Sequence, residues 1–264
     1  MEEWGLVTQL QNVSTTDLYY ICQIVDTVTR NPSSYIRNIE DIFGDMASIS
    51  LTHSFPKWTP FHIFIESVIS SVIYEEAEKS KTIGTFWVDY LLDANDIKVS
   101  SASNDPHGGS LVYGYEYLEQ LSQDNLINDV CENVTKQVFH VLFSNRATLA
   151  AFWDVVSWYV SDTARLFRPE AFTRSGHLKR SRIPMWAQNS IYHRDKGRCV
   201  LCKTDLTKLV TQENSLHFDH IIPLAKGGGN CVTNLQLTCS SCNTRKGGRA
   251  STTSKDYEAW YKYD

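Results

Sequence analysis

The sequence predicts an α+β chain: an all-α N-terminal domain followed by a small unit of two strands and one helix stapled by cysteines. Three observations carry this. Apolar residues recur at helical spacing through about the first 160 residues, and alternating, β-branched residues appear only near the C-terminus. Four of the seven cysteines form two Cys-x-x-Cys pairs. The charge changes sign between the two parts: residues 1–164 hold 8 Lys and Arg against 22 Asp and Glu, whereas 165–264 hold 17 against 8. A chain of 264 residues exceeds the ~100–200 of a common single core, so two domains are expected, 1–164 and 184–264, joined by a basic linker at 165–183.

Each N-terminal helix is legible from its cap and its stripe. Ser14-Thr15-Thr16-Asp17 caps a stripe at Leu18, Ile21, Cys22, Val25 and Val28, which Asn31-Pro32 stops. Thr59-Pro60 opens a second helix, with Phe61, Phe64, Ile65, Val68, Ile69, Val72 and Ile73 on a broad buried face. Ile127, Val130, Cys131, Val134 and Val138 repeat the pattern, as do Leu149, Phe152, Trp153, Val156 and Val160 after Asn145. Ser100 to Ser110 is a turn-rich loop between these helices. The result expected is a helical bundle whose aromatic stripes are core.

Neither long apolar stretch suits a bilayer. Phe61 to Tyr74 contains Glu66 and Ala147 to Val160 contains Asp154, and each runs for 14 residues, short of the ~20 needed to span. The start has no basic segment followed by an apolar one, so a cytoplasmic protein is expected. In a reducing compartment, paired cysteines point to metal rather than to disulfides. Cys22, Cys131 and Cys231 are left as small buried hydrophobes.

Arg165, Arg168, Arg174, Lys179, Arg180 and Arg182 make the linker basic, and Pro169 and Gly176 interrupt it. Two readings stand, a solvated connector or a strap along a nucleic-acid backbone, since Lys and Arg at phosphates release condensed counterions. Pro184 then opens a short helix from Met185 to about Asp195.

Cys199-Val200-Leu201-Cys202 and Cys239-Ser240-Ser241-Cys242 each put two thiolates on a tight turn, and together they supply the four sulfurs of a tetrahedral Zn²⁺. Four thiolates leave no open position, so this zinc is expected to be structural. Between the pairs, Leu216-His217-Phe218-Asp219-His220-Ile221-Ile222-Pro223 reads as a strand ending at Asp219-His220, and Gly227-Gly228-Gly229 as a sharp return needing positive φ. Asn234-Leu235-Gln236-Leu237 and then Asn243-Thr244-Arg245-Lys246 complete a strand and open a helix. Strand, loop, strand and helix around zinc make a ββα-metal unit.

Asp219-His220-Ile-x-Pro, Gly-Gly, Asn234-Leu-Gln and Cys239-x-x-Cys242-Asn243-x-x-Lys246 stand in order, with His220 and Asn234 separated by 14 residues and Asn234 and Asn243 by 9. Residues 184–250 thereby resemble zinc-bearing HNH endonucleases, including that domain of CRISPR effector enzymes. The resemblance implies roles. His220 would be the general base, a task that suits a group of unperturbed pKa near ~6.5. Asp219 and Asn243 would be oxygen ligands of a catalytic Mg²⁺ or Mn²⁺. Asn234 would fix the loop and orient the base, and Lys246, with Arg245 beside it, would reach a phosphate or else lie solvated on the helix. His217 shares a strand face with Asp219 and stands as an assisting or a structural residue.

The activity this implies is hydrolysis of DNA, with RNA as a second substrate class and a zinc-knuckle binding module without catalysis as the alternative. HNH domains behind a variable helical domain also resemble effectors of bacterial anti-phage defence. The acidic N-terminal part suits a protein partner or a homo-oligomer better than DNA.

Overall fold

The structure, a computed structural model, describes residues 14–79, 122, 126–209, 215–248 and 250–254. The turn-rich stretch expected at Ser100 to Ser110 lies outside the described residues. The chain is predominantly helical, with a two-stranded sheet near its C-terminal end, and it divides into two compact units. Residues 1–25 and 65–140 form one; residues 26–64 and 141–264 form the other. No helix among the described residues is long and apolar enough to cross a membrane.

In the first unit nearly all the described residues belong to parts of the helices Thr15–Arg30, Pro60–Lys79 and Leu126–Leu142. Their apolar stripes are the buried faces: Ile21, Cys22, Val25, Ile65, Ile69, Ile73, Val130, Val134 and Val138. Ser14 caps the first helix, its hydroxyl accepting the Asp17 amide at 3.2 Å. Burial pushes the Cys22 thiol up to about 11, and burial together with the Glu66 charge pushes Cys131 up to about 12, as befits small apolar side chains.

The second unit carries the cysteine pairs. Asn145 caps the helix Arg146–Ser161 through its side-chain oxygen, which accepts from the amides of Ala147 at 3.1 Å and Thr148 at 3.3 Å. Its buried face brings Phe152 against Phe61 and Phe64, with ring centroids 5.0 and 5.3 Å apart, and sets Trp153 edge-on to Phe152. Short helices at Pro32–Tyr35, Glu40–Phe43, Ala47–Thr52 and Thr163–Phe167 complete the helical part; none of them spans two full turns, so none shows as a stripe in the sequence.

The basic stretch is folded rather than extended. Phe172 and Leu178 are buried and pair in an antiparallel bridge around a turn at Gly176, where φ is +81°. Lys179 spends its ammonium on the Glu170 carbonyl at 2.9 Å.

Strand β1, Leu216–His220, pairs antiparallel with strand β2, Leu235–Cys239, placing Asp219 opposite Gln236 and His220 opposite Leu235. The helix Ser240–Lys246 follows β2 directly, starting three residues before the Asn243 expected to open it. Cys239 is its N-cap, and its sulfur accepts the Cys242 amide. The loop joining the strands is held by the helical part of its own unit. The Trp153 indole donates to the Thr233 hydroxyl at 2.9 Å, and the Phe55 amide to the Asn230 carbonyl at 2.8 Å.

The glycines of this loop serve two purposes. Gly227 alone takes a left-handed φ, +80°. Gly228 and Gly229 are needed for close approach, because a Cβ on Gly229 would lie 2.3 Å from the Trp153 ring. Gly229→Ala is therefore expected to destabilise the second unit by about 1–3 kcal/mol of overpacking. Urea denaturation measures this, and an unchanged midpoint would show that Trp153 yields without cost.

Candidate active site

The four sulfurs of Cys199, Cys202, Cys239 and Cys242 lie within 4.8 Å of one another, and those of Cys202 and Cys239 are 3.7 Å apart. Four sulfurs each ~2.3 Å from a tetrahedral zinc stand about 3.8 Å from one another, so the cluster fits that ion. Crowded sulfurs resist ionising together: burial and the neighbouring Cys202 and Cys239 sulfurs push Cys242 up to about 12. A divalent cation removes that conflict. Burial resists ionisation of Cys202 as well, but hydrogen bonds from Thr204 bring it down to about 6. Arg245 faces this cluster, donating to the Cys242 sulfur at 3.2 Å.

A second constellation gathers at the end of β1. Asp219 Oδ2 accepts from Lys246 Nζ and from Gln236 Nε2, each at 2.9 Å. Lys246, whose side chain is only 2% exposed, also donates to the His220 carbonyl at 2.6 Å. One ammonium thus ties the Ser240–Lys246 helix to both residues of the Asp-His pair. Asn243 lies one helical turn before Lys246, at a spacing that places both on one side of the helix. Gln236 adds a further tether, donating to the Thr252 carbonyl at 2.8 Å.

His220 is 3% exposed, and among the described residues neither ring nitrogen has a hydrogen-bond partner at ordinary geometry, although the Asn230 side chain interacts with the ring. Burial, followed by the positive charge of Arg180, lowers it to about 4; the Asn230 side chain opposes this and Lys246 adds to it. The imidazole is consequently neutral at pH 7, with a lone pair to offer. His217 is directed elsewhere, its Nε2 lying 3.1 Å from the Ser215 hydroxyl.

Asn234 closes the loop that His220 begins. Its Oδ1 accepts the Ile222 amide at 2.9 Å, while its Nδ2 donates to the carbonyls of Ile222 at 2.9 Å and Gly229 at 3.0 Å. Asn230 binds the basic stretch: its Nδ2 donates to the Lys179 carbonyl at 2.7 Å and its Oδ1 accepts the Ser181 amide at 3.4 Å.

Two supports have roles that the sequence does not disclose. Gln236 stands in the Asn-Leu-Gln motif, but its bond to Asp219 is visible only after β1 and β2 are placed in register. Asp195 is the other: its carboxylate, with no exposed surface, accepts from Arg194 at 2.8 Å, Arg146 at 3.0 Å and the Leu237 amide at 2.8 Å. Arg194 also donates to the Leu235 carbonyl at 2.6 Å, so the helix Met185–Arg194 is bolted to β2. An acid among basic neighbours has no pattern to mark it, and its partner Arg146 is 49 residues away.

The model of the HNH endonuclease family matches residues 199–249, the segment that holds the cysteine cluster, both strands and the Ser240–Lys246 helix. No curated protein and no solved structure matches the chain. The segment 199–249 is an HNH endonuclease domain built around a zinc-type four-cysteine cluster.

Proposed function

We propose that this chain is a metal-dependent endonuclease that hydrolyses DNA phosphodiester bonds. The observation that carries the reading is the convergence of a buried, neutral His220, whose ring nitrogens are uncommitted among the described residues apart from the Asn230 interaction, with Asp219 and Lys246 at one strand end, beside the helix bearing Asn243. Nucleic-acid binding alone does not call for a buried neutral histidine set beside a carboxylate at a strand end. Buried polar groups are ordinarily paired, and a catalytic role is one of the reasons for an exception.

In this reading His220 takes a proton from water as the water oxygen forms its bond to phosphorus. The bond from phosphorus to the 3′-oxygen breaks, and that oxygen leaves with a proton from solvent, giving a 5′-phosphate. Asp219 and Asn243 supply hard oxygen donors for Mg²⁺ or Mn²⁺, which when bound stabilises the leaving oxygen and the charge on the transferring phosphate. Asn234 keeps the loop after His220 in place, and Lys246 positions Asp219 and the His220 peptide. The zinc is structural. The acidic N-terminal unit is assigned a protein partner or a second copy of the chain.

The test is supercoiled plasmid with Mg²⁺ or Mn²⁺, beside a chelator control too weak to strip zinc and a His220→Ala variant of unchanged zinc content. Nicking by the wild type should fall by about 10²–10⁴-fold in the variant, the usual contribution of a general base. Cleavage surviving His220→Ala would remove the base from this mechanism, and cleavage of RNA in preference to plasmid would reassign the substrate.

A further inference from the structure

The backbone around Arg180 is fixed in a way no other residue of the basic stretch shares. The Lys179 carbonyl belongs to the peptide before Arg180, and the Ser181 amide to the peptide after it. One side chain, that of the 1% exposed Asn230, bonds both. The Ser181 hydroxyl is pinned again, 2.7 Å from that of Ser54. Such bracketing by a buried amide sets φ and ψ at one residue, as a strand partner would. Arg180 itself is exposed and makes no salt bridge among the described residues. On the same stretch Lys179 is committed to the Glu170 carbonyl and Arg168 to the Glu170 carboxylate, while Arg174 and Arg182 are exposed but lack the clamp.

The clamp also sets where Arg180 stands. Asn230 follows Gly229, whose carbonyl is tied by the Asn234 amide to Ile222, two residues after His220. The clamp therefore holds Arg180 to the loop that His220 begins, and the Arg180 charge reaches the His220 ring. A guanidinium within electrostatic reach of the base, on pinned backbone and exposed to solvent, suits what an attacked phosphate requires. The water activated by His220 approaches phosphorus from the base side, and the non-bridging oxygens lie around that line of attack. They acquire charge in the transition state, and Arg meets two such oxygens with parallel donors.

We propose that Arg180 binds the non-bridging oxygens of the phosphate being hydrolysed, held there by Asn230. This rests on the nuclease reading above, and it makes part of the basic stretch a component of the site. Arg174, exposed on the same stretch without such a clamp, is the comparison.

Full-length wild type, Arg180→Ala, Arg180→Lys and Arg174→Ala, all checked for zinc content and melting temperature, are compared in two assays. In plasmid cleavage with Mg²⁺, Arg180→Ala should lose about 10²–10³-fold in kcat, the loss typical of one transition-state donor. Arg180→Lys should recover part of this and Arg174→Ala should stay within a few-fold of wild type. In the second assay a short DNA duplex is titrated without divalent ions over a range of salt. Arg180→Ala should reduce the slope of log K against log salt by about 0.9, the value of one phosphate contact. An unchanged slope overturns the proposal whether or not the protein cuts, and so does an unchanged kcat where the wild type cuts. A wild type that cuts nothing while Arg180→Ala still lowers the slope overturns hydrolysis and leaves the phosphate contact standing.

Discussion

Cys239→Ser is expected to abolish zinc binding and with it the fold of the C-terminal segment. Cys239 has three structural duties: it ends β2, caps the Ser240–Lys246 helix, and contributes a sulfur to the cluster. Among the described residues the segment from one cysteine pair to the other has two strands of five residues each, and a two-stranded sheet is marginal in water. Structural zinc supplies about 10–16 kcal/mol at neutral pH, comparable with the entire 5–15 kcal/mol of a typical domain. The segment should therefore lose its ordered state with the ion, and a strong chelator should have the same effect as the substitution. Elemental analysis should fall from one zinc per chain to none, and limited proteolysis should open cleavage sites within residues 199–248. Cys231→Ser is the matched control, since Cys231 is equally buried but bonds to Thr233 rather than to the cluster. A Cys239→Ser protein that keeps its zinc and its protease resistance would show that three sulfurs suffice.

What the sequence disclosed and what it withheld follow from how far apart the interacting residues lie. The long helices were legible because each buries a face at its own period; the stripe Leu149, Phe152, Trp153, Val156 and Val160 is buried as the spacing implies. The cysteine pairs were legible because a metal site imposes its spacing on the chain. The grouping of the helical residues was not. The reading separated residues 1–164 from the zinc unit, whereas the structure gathers residues 26–64 and 141–264 into one compact unit. The bonds responsible join Trp153 to Thr233 and Phe55 to Asn230, separations of 80 and 175 residues that no local pattern encodes. The glycine run implies positive φ, yet of its three members Gly227 alone adopts it, and a Cβ on any of them would strike a neighbour, the Ser157 carbonyl, the Ile222 carbonyl or the Trp153 ring. Among the site residues, Lys246 was visible as a charge on a helix. Its burial against Asp219 and His220 became visible only once the helix was laid on the strand.

Asp195→Ala should destabilise the second unit by about 3–5 kcal/mol, the cost of leaving buried charge without its partner. The carboxylate is fully enclosed, and its removal strands Arg194, 2% exposed, and Arg146, 14% exposed, together with the Leu237 amide. Neither guanidinium can deprotonate to escape. Surface ion pairs offer a contrast: Lys136 and Glu132 are both more than half exposed, and their loss should cost less than 1 kcal/mol. Asp195→Asn separates charge from shape. It keeps an oxygen for the Leu237 amide but gives up the charge that balances two arginines, so it should fall between wild type and Asp195→Ala. The loss comes from truncation: replacing all three ionic residues with well-packed apolar ones can leave stability unchanged. Denaturant unfolding followed by tryptophan fluorescence reads all of these variants. A loss below 1 kcal/mol for Asp195→Ala would mean that the arginines reach water once released. The junction between the helix Met185–Arg194 and β2 would then depend on apolar packing around Ala187, Ile191 and Leu237. If the larger loss is found, the same variant should also impair cleavage without touching a catalytic group, because β2 carries Gln236, which holds Asp219.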